Sequence, residues 1–246
     1  MNLIPAAITG AGIGLVLKFL SGGGAGAPVA LKRPDVKFNG KQEYRARLIV
    51  PPSYLLNNQS PVAPLQAFGG IIFPYTPSIQ YEMNANYSSV PLQHSNYNVN
   101  FYKNSSLGNF RVTAKFTVQN DTDALFYLAT MHMLRSLTKM KWGTDTDAGA
   151  PPPVCRFSAY GDYMIQNVPV AVAQFTTELP TEVDYYAIDD SINASSVAYG
   201  LFGTNFIPTL SQITLSLIPM YSREELMQYG VDDYRDNTQL KTSGFL

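Results

Sequence analysis

The chain has 246 residues, of which 46% are hydrophobic and only 14% charged, with a formal net charge of −1. That is enough apolar material to bury a core, so wholesale disorder is excluded, and the longest cationic run is Lys32-Arg33, which leaves no basic stripe for a dedicated nucleic-acid binder. One cysteine, Cys155, excludes an internal disulfide framework and a cysteine-rich zinc site.

From the N-terminus, "IPAAITGAGIGLVLKFL" (4–20) is apolar but broken by glycines and Lys18, short for a membrane span. It reads as a helical arm for a partner, joined by the flexible linker "SGGGAGA" (21–27). A secretory signal is the other reading, with "AGA" at 25–27 as cleavage site, although "MNLIP" lacks the basic start. "GAGIG" (10–14) follows no strand, so it makes no dinucleotide fingerprint. Strands are expected near 36–38 and 44–50 around the turn pair Asn39-Gly40. The proline-rich stretch 57–77, with "GGIIFPYTP", reads as a meandering loop.

"YNVNFY" (97–102) places Tyr97, Val99 and Phe101 on one face. "KNSSLGN" (103–109) reads as a turn. Beyond it Phe110, Val112, Ala114, Phe116 and Val118 alternate with Arg111, Thr113, Lys115 and Thr117. Such alternation means one buried face and one wet face, as in an antiparallel sheet. A helix follows over 121–140, capped by Asn120 or Asp121, with Asp123 at its positive end and Lys139 and Lys141 at the other. Its apolar residues Ala124, Leu125, Phe126, Leu128, Met131, Met133, Leu137 and Met140 exceed one stripe, which implies packing on the sheet and on something else. "GTDTDAGAPPPV" (143–154) is a loop. Strands resume at 155–160, 163–166 and 170–179, then a loop-rich projection at 180–208, then the strand in "QITLSLIPMY" (212–221). The tail from Ser222 starts helical and ends in the apolar "GFL".

The residues capable of chemistry do not assemble into a motif. His94 and His132 are the two histidines, and no nucleophile motif joins His132 to Cys155. Cys155 sits in a strand pattern as a small apolar filler. Asp145 and Asp147 lack the remaining ligands of a calcium loop. The pairs Asp189-Asp190 and Asp232-Asp233 read as solvated or salt-bridged carboxylates. Asn58, Asn86, Asn104, Asn120 and Asn193 fall in glycosylation sequons, which an Asn- and Ser-rich chain also produces by coincidence. No catalytic residue, cofactor or metal is expected.

The order and spacing of "SIQYEMNANYSSVPLQHSNYNVNFYKNSSLGNFRVTAKFTVQNDTDALFYLATMHMLRSLTKMKWG" (78–143), "PPPV" (151–154) and a hydrophobic strand closed by "IPMYSREE" (218–225) resemble the baseplate tube-initiator and tube-cap proteins of contractile-tailed bacteriophages. The resemblance covers roughly 75–246. It implies a mainly β, α+β fold: a tail-tube-like antiparallel β-sandwich or barrel domain with one central α-helix, set here at 28–221, to which the sequence itself adds the N-terminal arm and linker (1–27) and a C-terminal tail (222–246). It also implies a homo-hexameric ring between baseplate hub and tube. The partners would be the hub protein, the neighbouring tube or tube-cap ring, and wedge or sheath proteins, in a virion assembled in the bacterial cytoplasm. Genome and tape-measure protein would pass through the ring, and no membrane is involved. Arg111, Thr113, Lys115 and Thr117 would line the channel. Phe126, Met133, Leu137, Met140, Phe245 and Leu246 would meet neighbouring subunits. The glycine-rich arm and the 180–208 segment have no place in that pattern. The reading from a different class is a secreted carbohydrate- or cell-binding β-sandwich, which would be a stable monomer.

Overall fold

The computed structural model describes residues 37–38, 41–42, 45–55, 61–143, 147–161, 163–188, 205–236, 238–242 and 244–246. The expected N-terminal arm and linker lie outside them. The fold is mainly β, α+β: a seven-stranded antiparallel sheet with one main helix. β1 (Lys37–Phe38) and β2 (Lys41–Gln42) make a separate pair flanking Asn39-Gly40. The large sheet has the order β4-β3-β7-β8-β11-β6-β5, built from β3 (Arg47–Ile49), β4 (Gly70–Ile72), β5 (Ser78–Val90), β6 (Val99–Thr117), β7 (Cys155–Ala159), β8 (Ile165–Glu178) and β11 (Leu210–Pro219). β9 (Tyr185–Ile188) and β10 (Asn205–Pro208) form a two-stranded ribbon, while 189–204, the rest of the expected projection, lie outside the described residues.

The stretch 57–77 differs from a plain loop. It carries a 3-10 helix, Ala63–Phe68, and β4. Gly69 ends the 3-10 helix in the left-handed region (φ 67°), and Gly70 follows at φ 152°. A Cβ on Gly70 would lie 2.2 Å from the carbonyl oxygen of Leu48, so only glycine lets β4 lie against β3 here.

β4 and β5 are opposite edges of the sheet, yet only residues 73–77 connect them. Six inter-strand intervals would span about 29 Å in a flat sheet, while six extended residue steps reach at most about 22 Å. The sheet must therefore curl. The aromatic contacts show where it closes upon itself. Phe73 lies 6.1 Å from Phe116 and 6.4 Å from Phe157, and Phe110 lies 5.5 Å from Phe157, ring centre to ring centre. The Tyr160 hydroxyl donates to the Pro77 carbonyl at 2.9 Å, tying the end of β7 to the β4–β5 connection. β4 and β5 do not pair with each other, so the sheet is curled but not a closed barrel.

The main helix, α1 (Asp121–Leu137), is fixed at its start by Asn120, whose side chain accepts from the amide of Asp123 at 2.9 Å. Asp121 and Asp123 sit in the first turn and Arg135 in the last, each favourable to the helix dipole. The helix ends at Leu137, three residues before the sequence reading. There Ser136 and Thr138 turn their hydroxyls back to the carbonyls of Met133 and Arg135. Its broad apolar coverage is used within this chain. One side meets the sheet, where Tyr127 lies 6.0 Å from Phe116. A second meets the 3-10 helix, where Phe126 packs edge-on against Phe68 at 5.9 Å. The ribbon adds buried Ile188 and Ile207, and the Tyr186 hydroxyl donates to Asp121 at 2.6 Å.

After β11, three short helices follow: α2 (Arg223–Met227), α3 (Val231–Arg235) and α4 (Thr238–Thr242). Ser222 and Glu225 form a reciprocal capping box at the start of α2. The chain then returns to the sheet, where Phe245 is buried.

Candidate interaction surfaces

The alternation read in 110–118 holds residue by residue. Phe110, Val112, Ala114, Phe116 and Val118 are buried in the core, and the intervening side chains point to the opposite, wet face. What the sequence reading did not assemble is the width of that face. Strand register lines up three polar rows across the sheet. The first runs Lys115, Gln212, Glu178; the second Ser78, Thr113, Thr214, Thr176; the third Gln80, Arg111, Ser216, Gln174. Thr117 lies beyond the first row, beside Leu210, and its hydroxyl bonds that of Tyr75 at 2.9 Å. Within the rows, the Thr113 and Thr214 hydroxyls are 3.3 Å apart and the Gln212 amide donates to Glu178 at 3.4 Å. Arg111, Lys115 and Glu178 are the charges of the three rows. The face is thus hydroxyl- and amide-rich, weakly cationic and continuous over four strands. The signal for it was in the sequence, since Gln212, Thr214 and Ser216 alternate with Ile213, Leu215 and Leu217 as the residues of β6 do.

The second surface is an arm. "KNSSLGN" is not a turn: β6 runs unbroken through it for 19 residues and pairs with the 13-residue β5. Beyond Tyr81 and Phe110 this hairpin leaves the body, and its side chains are exposed apart from a few half-buried ones. Nine residues of β5, 82 to 90, at about 3.3 Å each give a reach of roughly 30 Å. Tyr87 and Tyr102 pair edge-on at 5.7 Å, and Tyr97 and Phe101 are open to solvent. Side-chain bonds stiffen the arm: the Asn86 amide donates to Asn104 and to Ser106, each at 3.2 Å. The sequon side chains of Asn86, Asn104 and Asn120 are therefore engaged in the fold.

The six candidates for subunit contacts fall in different environments. Met133 and Leu137 are buried in the chain's own core, 1% and 0% exposed, where sheet, ribbon and 3-10 helix surround α1. In this fold they are packing residues, with no surface to offer a neighbour. Phe126 is half-buried against Phe68, and Met140 is exposed just past the helix. Phe245 is buried under Tyr221, and Leu246 is half-buried beside it.

The residues with chemical potential are separated. Cys155 is buried on β7 opposite Val170, and burial pushes its thiol up to about 12, so it stays protonated at neutral pH. His132 is exposed on α1, and His94 sits at the exposed tip of the arm with φ 58°. Asp147 pairs with Lys141 at 2.9 Å in the loop after α1, while Asp145, Asp189 and Asp190 lie outside the described residues. Asp232 pairs with Arg235 at 3.1 Å within α3. Among the described residues no three His, Cys, Asp or Glu side chains cluster as a metal site, and no helix is long and apolar enough to cross a membrane. Comparison with known proteins gives no matching family and no matching curated protein.

Proposed function

We propose that this chain is a structural protein of a contractile phage tail, forming a hexameric ring at the junction of baseplate hub and tube that initiates tube assembly and surrounds the genome channel. The observation that carries this reading is the polar face shared by β5, β6, β11 and β8. A surface over which DNA and tape-measure protein must slide has two requirements. It must be wetted, so that no apolar patch grips the passenger, and it must carry little positive charge, so that phosphates are not held. Two cations and one anion among hydroxyls and amides satisfy both. In this reading Arg111, Thr113, Lys115 and Thr117 line the bore.

The open sheet supports the same reading. Among the described residues β5 has a long unpaired edge and β4 a short one. Unpaired edges are liabilities in a free monomer, and closure among copies removes them. In a tail-tube-like assembly the curled sheets of six subunits would join into one barrel. The low charge of the chain fits a molecule largely covered by neighbours, with hub protein, adjacent tube or tube-cap ring, and wedge or sheath as partners. The N-terminal segment is the proposed tether to one of them. The test is an electron image of the particle that carries the chain. A six-fold ring at the hub end of the tube is the expected result. A stable monomer, cleaved near Ala27 and found outside the cell, would replace it with the secreted carbohydrate-binding reading.

A further inference from the structure

The segment after β11 touches the body at a few points, and they are not spread evenly. No residue of α2 or α3 is buried, and Met227 and Val231 are 77% and 71% exposed. The rim contact from α4, Lys241 over the ring of Tyr163 at 4.4 Å, is open to solvent. The attachment lies at Gly244–Leu246. Phe245 stacks on Tyr221 at 4.3 Å, nearly parallel, with the Tyr229 ring 5.1 Å away. The Tyr221 hydroxyl donates to the Gly244 carbonyl at 3.3 Å and accepts from the Leu246 amide at 3.1 Å.

Gly244 has φ 69°, and a Cβ there would stand 2.4 Å from the Asn167 carbonyl oxygen and 2.8 Å from its carbon. Both are backbone atoms of β8, which cannot retreat without disturbing the sheet. Phe245 and Leu246, with Tyr234 of α3, also line both of two open clefts, of about 440 and 380 Å³. Met83, at the root of the β5–β6 arm, lines both, and Leu107, its partner across the ladder, lines the larger. The strap and the root of the arm therefore face each other across the same two clefts.

We propose that Gly244–Leu246 is a latch: it holds the α2–α4 strap closed as a unit, supports the root of the arm at the same point, and on release frees both while the sheet stays folded. A segment whose far end is fixed at one point, with no buried residue in α2 or α3 between that point and β11, opens at the low end of the range of local stabilities. The latch does not depend on what the chain assembles with.

The experiment is amide hydrogen exchange with limited proteolysis on the full chain, comparing it with Gly244→Ala and Phe245→Ala. Gly244→Ala adds backbone strain and a clash, and Phe245→Ala removes the stacked ring without strain. Exchange across α2 and α3 should quicken by at least about tenfold in both variants, since opening costs that fall by about 1.4 kcal/mol change the open population tenfold. Exchange at 83–85 and 105–107 should quicken with it, and cleavage sites should appear in the strap, while α1 and β11 keep their protection. Should Gly244→Ala fail to fold, Phe245→Ala is decisive alone. Unchanged exchange at the arm root in Phe245→Ala, or loss of protection throughout α1 and β11, would overturn the latch.

Discussion

At the scale of single residues, neighbours in sequence have opposite roles. Val112 is fully buried and Thr113, one position on, stands in the second polar row. Phe110→Ala should cost about 3–5 kcal/mol, because it empties a site shared with Phe157 and Tyr81. Thr113→Leu with Thr117→Leu should change stability by only about 1 kcal/mol, through the loss of two part-exposed hydroxyl contacts. The same double change should impair passage through the tube. Urea unfolding of the isolated chain separates the two cases, and a large loss from the threonine pair would place that face in a core. Asn120→Ala should cost about 1 kcal/mol in the same measurement, since it strips the cap from α1. Tyr221 gives the latch a pH dependence. Burial pushes its hydroxyl from 10.0 up to about 12, opposed by the Leu246 amide and reinforced by Tyr234, Glu225 and Tyr229. A raised tyrosine keeps its proton when the strap is closed and loses it more readily when open. The part of closure that Tyr221 stabilises is thus fully present below about pH 10 and is lost as pH rises through about 12. Strap proteolysis followed against pH should show that loss, and Tyr221→Phe should flatten it.

At the scale of elements, legibility followed the range of the interactions. α1 was readable because its cap, dipole charges and apolar positions lie within 20 consecutive residues. The apolar face of 110–118 was readable for the same local reason. The arm was not. "KNSSLGN" has the composition of a turn, and it becomes strand because β5 supplies a ladder and the Asn86 bonds from across it. That pairing joins residues that local pattern does not connect. The continuity of β8 across Asn167, which sits at φ 54°, was hidden likewise. The partners of α1 also come from elsewhere in the chain, which is why Met133 and Leu137 looked free for a neighbour. Because the outer arm contributes nothing to the core, it can be shortened. Replacing 88–101 by Asn-Gly between Tyr87 and Tyr102, which face each other in the ladder, should leave the unfolding free energy within about 0.5 kcal/mol. Assembly should fail. A large destabilisation would mean that the arm folds back on the body.

At the scale of the whole molecule, the unusual feature is economy of charge combined with unfinished structure. A curled sheet with two edges open among the described residues, a wet face four strands wide and an arm of roughly 30 Å carrying exposed aromatic rings suit the proposed place of the chain as one part of an assembly. Closing six such sheets around one axis would turn the wet face into a bore and pair the edges. The measurement that tests this most directly is a side-chain-resolution map of the assembled particle. The account predicts six copies, with residues 111, 113, 115 and 117 of each facing an open central channel. One copy standing alone, or those four side chains packed against another protein, would contradict it.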